Sequence, residues 1–161
     1  MGILILINRT CMDHKLEKTD DKIIHFVRRH HESYSRVSLF VIFFWFGILK
    51  VLGLSPASPL VRALYERMFS TAQGIDEFLI GFGLFEVLIG ILFLVRKQER
   101  IVLPMLGVHM ATTVLPLIVL PALAWTGPFV PTLEGQYIIK NLALIAVATT
   151  IAANLHSLRK V

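Results

Sequence analysis

The sequence predicts an all-α integral membrane protein, a four-helix bundle with both termini cytoplasmic and a short outer amphipathic helix. Of its 161 residues, 55% are hydrophobic and only 17% are charged, with a mean hydropathy of +0.71. Soluble domains carry roughly a quarter charged residues. The charges concentrate in residues 8–36, in short connectors and in the last residues, and the stretches between them are too apolar for a soluble fold of this length to bury. A single cysteine excludes a disulfide scaffold.

Four stretches approach the roughly 20 apolar residues that cross a bilayer core about 30 Å thick. Ser55-Pro56 ends the first, a charged run at 96–100 ends the second, and the third contains three prolines. The predicted spans are residues 37–54, 75–95, 101–121 and 136–155. They divide the chain into an N-terminal cytoplasmic or interfacial segment (1–36), a four-span domain (37–156) and a cytoplasmic tail (157–161).

Basic residues outside the spans predict the orientation. Residues 1–36 contain seven Lys and Arg, the connector 96–100 contains three, and the connector 122–135 contains none. Because cytoplasmic loops are enriched in Lys and Arg, both termini are expected inside, and residues 55–74 and 122–135 outside. The same asymmetry explains the net charge of +5 without nucleic acid as a partner. Membrane lipids are the expected surroundings.

Two segments outside the spans have helical patterns. Ser58–Phe69 places Leu60, Leu64 and Met68 on one side, which predicts a short amphipathic helix at the outer surface, with an ordered loop as the alternative. Residues 13–36 mix charges with scattered apolar residues, which predicts an interfacial helix leading into the first span. The histidines in this segment lack the Cys or carboxylate companions of a metal site, so no metal is expected.

Ionisable side chains inside the spans are the candidate functional residues, since charge at membrane depth is costly. At about 1.5 Å per helical residue, Glu86 and His109 fall near the midplane, and Lys50 and Lys140 lie roughly 6 Å below the outer surface. This predicts two layers, with a carboxylate and an imidazole below two ammonium groups. No Ser-His-Asp grouping or phosphate loop indicates soluble enzyme chemistry, so catalysis is left open.

Helical spacing predicts which faces point inward, because each ionisable residue shares a stripe with small or polar companions. The predicted stripes are Phe43, Gly47 and Lys50 in the first span; Gly83, Glu86 and Gly90 in the second; Met105, His109, Thr112 and Pro116 in the third; and Lys140, Ala143, Val147, Thr150 and Asn154 in the fourth.

Each of these residues also has a structural interpretation. Lys50 and Lys140 are long enough to reach the outer headgroups. Glu86 is either neutral or paired with a cation, and such a pair can hold helices in register without further chemistry. His109 is compatible with a hydrogen-bonded core histidine as well as with a ligand or proton relay.

The stretches FFWFGILKVLGLSPASPLVRALYE, GLFEVLIGILFL, TTVLPLIVLP and EGQYIIKNLALIA resemble the DoxX-like superfamily of small four-helix membrane proteins, and most closely bacterial inner-membrane proteins of the YkgB and RclC type. The resemblance covers about residues 36–155. It implies a multi-pass protein of the bacterial cytoplasmic (inner) membrane, associated with quinone-linked redox complexes or with oxidative stress. It favours Lys50, Glu86 and Lys140 as shared polar positions. Asn141 stands where relatives have Asp, so one carboxylate is missing.

The leading functional hypothesis is a polar pocket that binds a quinone or another amphipathic molecule. Its expected ligand-binding residues are Lys50, Glu86, His109, Lys140 and Asn141, with Phe43, Phe44, Trp45 and Phe85 as candidates for the apolar lining. No covalently bound cofactor is expected, so electrons would come from a membrane redox partner.

Two other functions stay open. One is a non-catalytic accessory or assembly subunit that docks other membrane proteins, or a second copy of itself, through small-residue faces. The other, ranked last, is a small oligomeric transporter that uses Glu86 and His109 as a relay.

Overall fold

The computed structural model of the chain is mostly helical and describes residues 2–153 and residue 155, with side chains from Glu17 onwards. Its elements in chain order are α1 (Gly2–Val51), α2 (Ser58–Phe69), α3 (Ile75–Leu94), α4 (Glu99–Val114), α5 (Pro116–Val119), α6 (Pro121–Ala124), β1 (Trp125–Gly127), β2 (Val130–Pro131) and α7 (Leu133–Ala152).

Within the described residues, four helical segments are long and apolar enough to cross a membrane. They are Glu17–Val51, Ile75–Leu94, Glu99–Val119 and Leu133–Ala152. Four membrane-spanning segments were predicted, and four helices have the length and apolar composition that a span requires, so the predicted number is confirmed. The large apolar side chains on their outer faces are exposed, among them Val41, Leu84, Val108 and Leu142, as expected where lipid replaces water as the solvent.

The chain divides into two compact units, Met1–Tyr34 and Ser35–Val161. In the first unit α1 is helical from Gly2, so the helix begins earlier than the expected residue 13. The side chains of 17–29 are exposed. Those of Cys11 and His14 lie outside the described side chains.

In the second unit, α1 and α3 approach closely because glycines face each other. A Cβ added at Gly83 would lie 2.8 Å from the Gly47 carbonyl oxygen, and one at Gly90 would lie 2.8 Å from the Phe44 nitrogen. Only a residue without a side chain permits such a backbone approach. The predicted stripes of the first and second spans are therefore buried as expected, and both face the contact between α1 and α3.

The hydrophobic core joins α1, α3, α4 and α7. Its buried members are Leu39, Phe43, Ile89, Phe93, Val102, Leu106, Met110, Ala148 and Ile151. At the edge of this core Arg36 pairs with Glu99, and Arg36 Nη1 also donates to the Phe93 carbonyl at 3.2 Å. Both charged side chains are buried. The pair joins α1 to the first residue of α4.

The prolines of the third predicted span interrupt its helix. The segment begins at Glu99, before the expected residue 101, and α4 ends at Val114. Pro116 and Pro121 each open a four-residue helix, since proline fits the first helical turn but lacks the N–H that continues a helix. Pro104 is tolerated within α4.

The connector before α7 forms a small hairpin that the sequence analysis did not predict. In it, Trp125 pairs with Pro131 and Gly127 with Val130. Thr132 follows and caps α7, because its hydroxyl accepts from the Gly135 N–H at 3.1 Å. The fourth span therefore begins at Leu133 and not at residue 136.

Candidate functional site

Three of the predicted site residues meet inside the bundle. Lys50 lies at the end of α1, Glu86 in the middle of α3 and His109 in α4, and their exposures are 7%, 4% and 3%. Lys50 Nζ lies 2.6 Å from Glu86 Oε2, and His109 Nε2 lies 2.9 Å from Glu86 Oε1. We call these three residues the triad. One carboxylate thus contacts nitrogen atoms from two other helices.

The close approach of α1 and α3 brings the triad together. Gly83 precedes Glu86 by one turn, and a Cβ at position 83 would lie 2.9 Å from the Lys50 Cβ. The backbones of α1 and α3 are therefore in contact next to Lys50. The lysine side chain needs to cross only that contact to reach Glu86. The glycine and the ion pair belong to one local arrangement.

The triad differs from the predicted two layers. Lys50 contacts Glu86 directly, so the ammonium and the carboxylate lie in one layer. The interpretation in which Lys50 reaches the outer lipid headgroups is wrong, because its side chain is buried against α3. A lysine stem covers several Å, which is comparable to the layer spacing inferred from helix rise alone.

Lys140 and Asn141 lie elsewhere. Lys140 is exposed on α7, with Nζ 5.1 Å from the centre of the Tyr137 ring. Asn141 is half-buried. Among the described residues, no hydrogen bond or ion pair joins either side chain to the triad.

The inward stripe predicted for the fourth span is wrong. Lys140, Ala143 and Thr150 are exposed, and Val147 is half-buried. Asn154 lies outside the described residues. The structure buries a different set on α7, namely Gly135, Ile138, Ala148 and Ile151. Packing against α4 and the hairpin selects that face. Of the polar residues of α7, Thr149 lines the groove against α4, and Thr150 Oγ1 lies 3.0 Å from the Ser35 Oγ of α1.

Three phenylalanine rings surround the imidazole of His109. The ring centres of Phe82, Phe43 and Phe85 lie 5.1, 5.3 and 6.4 Å from it, all in edge-on geometry. Phe82 also places its ring centre 5.6 Å from Lys50 Nζ. Such cation-π and aromatic contacts stabilise a charged group in an apolar setting.

The predicted aromatic lining is partly displaced. Phe43 and Phe85 contact His109, whereas Trp45 is 64% exposed on the outer face of α1. Phe44 packs on Phe40 at 5.1 Å. Phe82 is not among the predicted lining residues, although its position four residues before Glu86 places it one turn away on the same side of α3.

The second nitrogen of His109, Nδ1, has no hydrogen-bond partner within the described part of the chain. Nδ1 is buried and forms no hydrogen bond with any described residue. The nearby Thr112 hydroxyl donates to the His109 carbonyl at 2.7 Å and so is engaged elsewhere. Most buried polar atoms are hydrogen-bonded, and an unpaired one is a candidate contact for a bound molecule.

An aromatic row connects the triad with α2. Phe82 stacks on Phe78, with ring centres 5.9 Å apart and 8° between the planes. Phe78 in turn lies 5.1 Å from the ring of Tyr65 in α2. Phe78 is 41% exposed, whereas Phe82 is half-buried. Phe82 therefore separates the triad from the exposed part of this row.

A separate apolar groove lies between α4 and α7, with Leu106, Gly107, Met110 and Ala148 among its lining residues. At about 100° per residue, His109 lies roughly 200° around α4 from Gly107. The groove and the triad therefore occupy different faces of α4. Among the described residues, no group of three His, Cys, Asp or Glu side chains is placed to hold a metal ion.

No protein-family model, curated protein or solved structure matches the chain.

Proposed function

We propose that this chain is a DoxX-like, multi-pass protein of a bacterial cytoplasmic membrane, and that its triad binds the head group of a quinone-like or amphipathic molecule in redox or oxidative-stress physiology. The observation that carries the proposal is the unpartnered Nδ1 of His109, buried next to an ion pair and ringed by phenylalanines. Binding sites for lipid-soluble molecules combine apolar, aromatic walls with a few convergent polar groups.

The charges of the triad support recognition of a polar but uncharged head group. Lys50 and Glu86 neutralise each other at 2.6 Å. A bound ion would add an uncompensated charge inside an apolar core, which is costly. A head group with hydroxyl or carbonyl oxygens adds hydrogen bonds without adding charge, and its ring matches the phenylalanine walls.

Access to the triad requires movement of an aromatic ring. His109 Nδ1 has essentially no exposed surface, so an incoming head group must displace a side chain that covers it. Phe82 is suited to this role because it is half-buried and continues into the exposed ring of Phe78. The aromatic row from α2 is the proposed route of entry.

A second function is favoured by the direct contact between Lys50 and Glu86. An ion pair without an intervening ligand suits a structural role, fixing α1 against α3. In that case the chain is an accessory or assembly subunit of a membrane complex. The two functions differ in whether His109 Nδ1 acquires a ligand.

A titration distinguishes these functions. Wild-type protein in lipid nanodiscs is titrated with a short-tailed quinone and its reduced form, and binding is followed by calorimetry. Lys140→Met is the matched control for Lys50→Met, since Lys140 is exposed and lies apart from the triad. Saturable binding that Lys50→Met weakens and Lys140→Met preserves supports the proposal. No binding to wild type, or equal loss in both variants, contradicts it.

A further inference from the structure

The hydrogen-bonding direction within the triad follows from Glu86. An ionised carboxylate only accepts hydrogen bonds. Lys50 Nζ donates to Oε2 at 2.6 Å, so the group that contacts Oε1 at 2.9 Å must also be a donor. That group is His109 Nε2, which therefore carries a hydrogen. The imidazole tautomer is assigned from this network.

The charge of His109 follows from its surroundings. The Glu86 carboxylate is already neutralised by the Lys50 ammonium. A protonated imidazole would leave one net positive charge among buried apolar side chains, and such a charge is strongly disfavoured. The imidazole is therefore neutral. With its hydrogen on Nε2, Nδ1 keeps a lone pair and acts as an acceptor.

No side chain in the described part of the chain donates a hydrogen bond to this acceptor. Phe43, Phe82 and Phe85 contact the imidazole with rings alone. Thr112, the hydroxyl residue one turn further along α4, donates to a backbone carbonyl. Within the described part of the chain, Nδ1 is thus a buried acceptor that receives no hydrogen bond.

We infer that the triad selects a head group that donates a hydroxyl hydrogen to His109 Nδ1, and therefore binds a hydroquinone in preference to the corresponding quinone. This inference rests on the proposed function and specifies its ligand. A quinone carbonyl has only lone pairs, so it would face the lone pair of Nδ1. A hydroquinone hydroxyl supplies the missing donor, and no bond is made or broken beyond the hydrogen bond. The preference is for one redox state of the same ring.

The test compares three probes that differ at the hydroxyl group. Full-length protein in nanodiscs, kept under argon, is titrated with a short-tailed hydroquinone, with the matching quinone and with the dimethyl ether of the hydroquinone. We expect the hydroquinone to bind about tenfold more tightly than either other probe, as loss of one buried hydrogen bond implies. In His109→Leu the three affinities should converge, whereas the control His25→Leu, at an exposed position of α1, should keep the preference.

The outcomes separate this inference from the proposed function. If the quinone or the ether binds as tightly as the hydroquinone, the hydrogen-bond direction assigned to His109 Nδ1 is wrong. The proposed function then still stands if Lys50→Met weakens the binding and Lys140→Met preserves it. If none of the three binds, the proposed function fails as well. A preference that persists in His109→Leu also overturns the assignment. Should His109→Leu fail to fold, the ¹⁵N resonance of wild-type His109 Nδ1 decides, because it should move with hydroquinone and stay unchanged with the ether.

Discussion

Lys50 at the end of α1 and Glu86 in the middle of α3 form a buried ion pair with 2.6 Å between Nζ and Oε2. The pair lies where Gly47 and Gly83 bring the two helices into backbone contact. His109 reaches the other carboxylate oxygen from α4. Three helices are therefore joined through one carboxylate.

The ion pair should show strong thermodynamic coupling. Removing one charge leaves the other buried without a partner, which costs about 3–5 kcal/mol in buried pairs. We expect Lys50→Met and Glu86→Leu each to destabilise the protein, and the double variant to be less destabilised than the sum. The measurement is unfolding in mixed micelles, analysed as a double-mutant cycle.

Lys140→Met combined with Glu86→Leu is the control cycle, because Lys140 Nζ lies over the Tyr137 ring, and the described hydrogen bonds and ion pairs of Glu86 are with Lys50 and His109. Its effects should add. Additivity in the Lys50 cycle would show that the two charges do not interact, contrary to the structure.

Two glycines on α3 should respond in opposite ways to alanine. A Cβ at Gly83 would meet the Gly47 carbonyl oxygen at 2.8 Å, so Gly83→Ala must force α1 and α3 apart. We expect a loss of about 1–3 kcal/mol, the usual cost of overpacking. Gly81 has no heavy atom within 4 Å of its Cβ position, and Gly81→Ala should be neutral or stabilising through helix propensity. Thermal unfolding in detergent compares them, and equal losses would refute this packing.

Phe82 should control the rate at which a ligand reaches the triad. Its ring lies 5.1 Å from the imidazole and 5.6 Å from Lys50 Nζ. Truncation in Phe82→Ala removes the ring that must move, so association of the hydroquinone probe should accelerate about tenfold. Stopped-flow fluorescence measures this rate. Phe46→Ala, on an exposed face of α1, should leave it unchanged, and an unchanged rate in Phe82→Ala would exclude the proposed route.

The orientation predicted from basic residues is testable by cysteine labelling in a Cys11→Ser background. Ala72 lies between α2 and α3, and Gln98 lies between α3 and α4. A membrane-impermeant maleimide should label Ala72→Cys in intact spheroplasts and Gln98→Cys only after permeabilisation. The reverse pattern would invert the topology, and labelling of both from outside would contradict a spanning α3.

Local sequence signals predicted several features of the structure. The bounds of α2, Ser58–Phe69, agree with the periodic segment, because its apolar spacing and Pro59 mark both its face and its start. The glycine stripe around Glu86 is buried, since small residues permit close helix contact. These features depend on spacing within one helix.

Features that depend on contacts between helices were not predictable in the same way. Helix rise placed Lys50 above Glu86, yet the flexible lysine stem closes that distance. The inward face of α7 is set by α4 and the hairpin, not by its own polar residues. One sequence feature could have predicted the Arg36–Glu99 pair. The two residues lie next to the starts of two spans that were predicted to begin on the same side of the membrane.

The most direct test of the triad as a ligand site is a crystal structure of the protein purified with its native lipids. Non-protein density within about 2.7–3.2 Å of His109 Nδ1, with Phe82 rotated aside and Lys50 still bound to Glu86, is the predicted result. The contradicting result is that, in every copy, Nδ1 is covered by phenylalanine rings or bonded to a protein group. Ligand binding would then be excluded, and the ion pair would have a purely structural role between the helices.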